Sequence, residues 1–114
     1  MRPRLVRTAL LAAGLALAAG PASAEEPYTK PDRSWISLTG TVAASRPDAF
    51  TLDYGEGLIT VEMDDWDLFA EGRRIEAGED VTVYGRIDDD LYEMRTIEAS
   101  SIYVHDRNTY HYAN

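Results

Sequence analysis

Phe50-Thr-Leu-Asp-Tyr-Gly-Glu-Gly-Leu-Ile-Thr-Val-Glu-Met63 reads as two short strands and the turn between them. On the first arm Phe50, Leu52 and Tyr54 alternate with Thr51 and Asp53. On the second, Ile59, Val61 and Met63 alternate with Thr60 and Glu62. A period of two puts one set on a buried face and the other on a wet one. Gly55-Glu56-Gly57 supplies the reversal, because a hairpin turn needs a positive φ that glycine adopts without strain.

Working outward, the same alternation recurs on both sides. Upstream, Ile36, Leu38, Gly40 and Val42 form the inward set of a first strand starting at Ser34, and Ser45-Arg-Pro-Asp48 turns into the hairpin. Gly40 stands at an inward position, where a closing sheet has to bend. Downstream, Val81, Val83, Gly85 and Ile87 define a fourth strand, and Asp88-Asp-Asp90 ends it. A fifth runs from about Tyr92 to Val104. Its inward set begins as Arg95, Ile97 and Ala99 and resumes as Ile102 and Val104, so a bulge is expected near Ser100-Ser101. Between strands three and four, Asp64-Asp65 suits a helix N-terminus. Trp66, Phe69 and Ala70 then recur at helical spacing until Gly72. The residues from His105 to Asn114 show no firm period; their tyrosines are candidates for an interaction surface or for covering a sheet edge.

The chain opens with Arg2, Arg4 and Arg7, then an apolar run from Thr8 to Ala19, then Ala22-Ser23-Ala24. That three-part order predicts a secretory signal cleaved after residue 24, and hence a periplasmic or extracellular protein. The run is short for a membrane span of about 20 residues. Residues 25–33, with two prolines and no periodicity, read as a flexible lead-in. The leader holds three of the 11 Lys and Arg residues and none of the 20 acidic ones, which leaves the remainder at −12. Such a charge repels polyanions and attracts cations. With no cysteine, a disulfide, a thiolate metal site and a cysteine nucleophile are all excluded.

Three strands, a short helix and two more strands predict an all-β domain over residues 34–104. Its expected form is a small five-stranded barrel like the oligonucleotide/oligosaccharide-binding (OB) fold, with Trp66 and Phe69 plugging one end. A small open sheet with one helix is the rival. Four runs together resemble the bacterial OB-fold family of small periplasmic stress-tolerance proteins: Ile36-Ser-Leu-Thr-Gly-Thr-Val42, Gly57-Leu-Ile-Thr-Val-Glu-Met-Asp64, Gly78-Glu-Asp-Val-Thr-Val-Tyr-Gly-Arg-Ile-Asp88 and Ile97-Glu-Ala-Ser-Ser-Ile102. The resemblance implies a periplasmic barrel without catalysis or cofactor, linked to tolerance of oxidative, acid or cationic-peptide stress through small or cationic ligands. Residues 105–114 extend beyond that pattern.

The outward residues argue about partners. Nucleic-acid binding on such a barrel uses stacking aromatics and cationic side chains on strands two and three. Here that face offers Thr51, Asp53, Leu58, Thr60 and Glu62, so phosphates are excluded electrostatically. The expected ligand-binding residues are Thr51, Asp53, Thr60, Glu62 and Tyr84, with the Asp88, Asp89 and Asp90 turn. They would meet a cationic small molecule, peptide or basic protein. The alternative is a protein–protein interaction module acting through a sheet edge or the C-terminal tail. Neither acidic cluster, Asp64/Asp65/Asp67 or Asp88–Asp90, has calcium-loop spacing. His105 and His111 lie six apart and match no zinc spacing. No serine has a nucleophile-elbow context, so no enzyme and no metal site is expected.

Overall fold

The computed structural model describes residues 25–63, 75–90 and 94–113. Six strands follow in order: β1 Trp35–Arg46, β2 Ala49–Asp53, β3 Leu58–Glu62, β4 Asp80–Asp88, β5 Thr96–Val104 and β6 Thr109–Tyr112. The hairpin forms as expected, with Phe50 opposite Val61, Leu52 opposite Ile59, and Gly55 at φ 100°.

β1 is long enough to serve two partners, pairing with β4 from Trp35 to Thr41 and with β2 from Thr41 to Arg46. β4 pairs antiparallel with β5, and β5 runs parallel to β3 from Thr96 to Glu98. That last pairing closes the circuit β1–β2–β3–β5–β4–β1. The sheet is therefore a closed five-strand barrel, and the open-sheet rival is overturned. Closure removes the exposed edges of the five strands. The expected helix over 64–71 lies outside the described residues, as do residues 1–24 and the Asp64/Asp65/Asp67 cluster.

The inward sets meet in one core. Phe50, Leu52, Val61, Val81, Val83, Ile97, Ile102 and Val104 are fully buried, joined by Ile36, Leu38, Val42, Ile59, Met63, Ile75, Ile87 and Ala99. Burying side chains of this size contributes about 1.5–3 kcal/mol each before conformational entropy is subtracted. The two mid-strand glycines are there for space. A Cβ on Gly40 would collide with the Asp53 carbonyl, and one on Gly85 with the Glu98 carbonyl.

The bulge expected near Ser100-Ser101 is present. Tyr84 pairs with Ser101 and Gly85 with Ala99, so Ser100 is the extra residue. A second irregularity, at Ala43 between the Val42 and Ala44 pairings, has no counterpart in the sequence reading. One expectation is corrected, and one reading of the tail, that it covers a sheet edge, is borne out. β5 starts at Thr96 rather than Tyr92. The tail folds back as β6, with Val104 opposite Thr109 and Ser101 opposite Tyr112. The turn is sharp because Asn108 adopts φ 51°, which asparagine tolerates better than most residues.

The lead-in does not hang free. Arg95 donates to the Pro27 carbonyl at 3.2 Å and to that of Lys30, and Tyr28 Oη donates to the Leu58 carbonyl. Tyr54 Oη donates to Glu26 Oε1 at 3.1 Å. Arg33 N–H then bonds the Ile87 carbonyl at 2.8 Å, feeding the chain into β1.

Candidate functional site

Thr51 and Thr60 lie directly opposite each other on the outer face of β2 and β3. With Tyr28, Leu58, Met94 and Arg95 they line a shallow recess of roughly 100 Å³ where the lead-in crosses the barrel. Tyr54, beside it, is half-buried. Burial first, then the hydrogen bond and charge of Glu26, push its phenol up to about 12.

The acidic residues sit where β3, β5 and β4 come side by side. The parallel β3–β5 register sets Glu62 against Glu98, and β5–β4 pairing sets Glu98 against Arg86 and Thr96 against Asp88. Thr96 Oγ1 donates to Glu62 Oε1 at 3.3 Å, which ties the rungs together. Asp89 forms an ion pair with Arg95 at 2.8 Å, and its N–H is held by Asp32 Oδ1 at 2.9 Å. Asp53 accepts the Gly55 N–H at 3.0 Å, a bond that stabilises the hairpin turn.

The expected site residues therefore separate. Thr51, Thr60, Glu62, Asp88 and Asp89 share one stretch of outer surface, and Asp90 follows Asp89 in the chain. Asp53 stands at the hairpin tip. Tyr84 belongs to a different surface, the outer face of β1, β4, β5 and β6. There it stacks on Trp35 with centroids 5.0 Å apart and planes 11° from parallel. The Arg86 guanidinium sits 5.4 Å from the Trp35 centroid. Tyr103 meets Tyr110 at 4.7 Å, and Tyr110 stacks on Tyr112 at 5.7 Å. His105 and the hydroxyls of Thr82 and Thr39 form a hydrogen-bonded chain beside them, each link 2.8 Å.

Sequence reasoning missed Trp35, Glu98 and the outward-facing role of Arg95. Trp35 carried a signal: a large apolar residue at an outward position of a clean alternation. Glu98 carried none, because only the parallel register brings it to Glu62.

At the foot of β6, Arg107 grips Glu79 through both oxygens, at 2.9 and 3.1 Å. Burial alone would raise the Glu79 carboxyl. The Arg107 hydrogen bonds, the Glu76 N–H and the charges of Arg107 and His111 outweigh it and hold the pKa below the ordinary value. Among the described residues, no three His, Asp or Glu side chains are grouped to hold a metal ion.

Closed antiparallel strands with a parallel β3–β5 junction define a barrel of the OB class. Of known structures, the hypothetical protein YgiW from E. coli is similar, with a TM-score of 0.55 and 21% identity over 68% of this chain and 82% of that one. No family model matches the chain, and no curated protein matches it in sequence.

Proposed function

We propose that this chain is an exported, non-catalytic binding barrel of the bacterial OB-fold stress-tolerance type, which takes a cationic ligand at its acidic outer surface. The observation that carries the reading is the register of Glu62 against Glu98, with Asp88 one rung away. Like charges placed opposite each other on a sheet destabilise it. Arg86 stands against Glu98 and offsets part of that repulsion, and a bound cation adds to the offset. The charge of −12 outside the leader supplies the long-range attraction. The barrel shared with YgiW and the leader-like residues 1–24 support the family and the periplasmic location.

Titrating the purified chain with polylysine at low and moderate salt tests this. Binding should weaken as salt rises and fall further in an E62Q/E98Q variant. Polylysine binding that ignores both salt and the double substitution would remove the reading.

A second reading is favoured by a separate observation. The tail forms the outermost strand, consistent with a protein–protein interaction module engaged through a sheet edge.

A further inference from the structure

β6 differs from every other strand described. Each of β1 to β5 has a strand on both sides, whereas β6 pairs with β5 alone and meets no other strand among the described residues. The barrel abolishes its edges, and the tail then creates a new one.

The hydrogen-bond phase shows what that edge presents. Ala113 N–H donates to the Ser100 carbonyl at 2.9 Å. In an antiparallel ladder, bonded and non-bonded pairs alternate. The pairs His111/Ile102 and Thr109/Val104 therefore exchange bonds, and Tyr110/Tyr103 and Tyr112/Ser101 do not. The short Tyr103–Tyr110 ring distance agrees, because side chains approach most closely at non-bonded pairs. The N–H and C=O groups of Tyr110 and Tyr112 consequently point away from β5, along the open edge. Their rings are exposed, at 58% and 64%. The same two residues offer both the backbone groups and the aromatic surface.

Edges are usually blunted by lysine, proline or a bulge. Thr109-Tyr-His-Tyr112 has none of these, and its residues favour strands. A second copy of this chain would bring the same large negative charge to the contact, and a four-residue strand offers little area for a stable dimer. A short cationic chain meets attraction instead. Arg86 over Trp35 shows, on the neighbouring part of this surface, a guanidinium held against an exposed ring.

We propose that β6 docks an extended polypeptide segment carrying Arg or Lys at alternate positions. The segment adds as a further strand through the outward peptide groups of Tyr110 and Tyr112. Residues opposite those tyrosines project on the same face, so every second side chain lies beside a tyrosine ring. The inference rests on the cationic-ligand reading, and it names the partner class and a different contact surface.

The test compares a capped, alternating Arg–Thr peptide with its fully N-methylated counterpart, which keeps the charge and cannot pair as a strand. Methylation should weaken binding about tenfold, and the amides of Tyr110 and Tyr112 should gain exchange protection with the unmodified peptide only. Tyr112→Pro removes an outward N–H while sparing the bonds to β5, and should erase the preference. The E62Q/E98Q variant should keep it. Equal affinity for the two peptides, binding of neither, or β6 protection arising from dimerisation of the chain itself would overturn the proposal. Salt-sensitive polylysine binding that depends on Glu62 and Glu98, without any peptide preference, would leave the acidic site standing and sink strand addition alone. A peptide preference without that polylysine dependence would do the reverse.

Discussion

On the outer face of β2 and β3 the side chains other than Leu58 are small or acidic, and the segment 25–33 lies across part of them. The outer face of β1, β4, β5 and β6 carries the aromatic rings, among which Trp35, Tyr84, Tyr110 and Tyr112 stay exposed. Both surfaces come from one rule, outward positions of alternating strands. They differ in what holds them. The first is ordered by directed bonds from single groups, Arg95 to two carbonyls and Tyr54 to Glu26. The second is ordered mainly by rings packing on rings, with the His105–Thr82–Thr39 hydrogen-bonded chain beside them and an ion pair at its foot. A surface held by a few directed bonds can be released by losing one of them, whereas stacked rings yield gradually.

The two surfaces share a core, so the largest effect abolishes the difference. Phe50→Ala should cost about 4 kcal/mol in denaturant unfolding, with fluorescence and circular dichroism melting together. A loss below about 1 kcal/mol would show that this ring does not anchor both halves. Next, Arg95→Met should cost about 2 kcal/mol and open residues 25–33 to limited proteolysis. Amide exchange at Thr109–Tyr112 should stay unchanged. Parallel loosening of β6 would mean that the surfaces are coupled.

Smaller, at about 1 kcal/mol, is Tyr54→Phe, which removes the hydroxyl that reaches Glu26. The Tyr54 pKa is raised on folding, so its contribution is complete below pH 10, where the unfolded phenol is also protonated. It disappears as the pH climbs through about 12. Ultraviolet titration of the wild type against Tyr54→Phe should show Tyr54 ionising late, and Glu26→Gln should return it toward 10.

Glu79 has the opposite sign. Its carboxyl is held below the ordinary 4.5, so the stability it lends the β6 hairpin is complete above that value and fades as acid carries the pH down through the folded pKa. Exchange at Thr109–Tyr112 should quicken in acid before the barrel melts, and Glu79→Gln should flatten that dependence. The smallest change is Tyr84→Ala, about 0.5–1 kcal/mol for one exposed stack, with Trp35 fluorescence reporting the lost neighbour.

The barrel was legible because its information is local. Strict alternation marks four of the strands, and the slip at Ser100 betrays its own bulge. β6 was not legible as a strand: four residues with a weak pattern acquire their state only from pairing with β5. The docked lead-in was invisible for a related reason, since its order comes from Arg95 and Tyr54, far away in sequence. The candidate site was half legible. Alternation showed that Thr51, Thr60 and Glu62 face outward together. The placing of Glu98 beside Glu62 and of Tyr84 apart from them depends on register between distant strands, which no local period encodes.

The extra residue at Ser100 also divides β5 as a mechanical element. Before it, Thr96 to Glu98 lock against β3; after it, Ser101 to Val104 carry β6. Tension applied at the C-terminus meets an antiparallel ribbon first and peels it one rung at a time. The barrel seam, lying beyond the kink, takes load only when the ribbon is gone. β6 is thus a detachable appendage, because it lies outside the closed ring that β5 shares with β3 and β4.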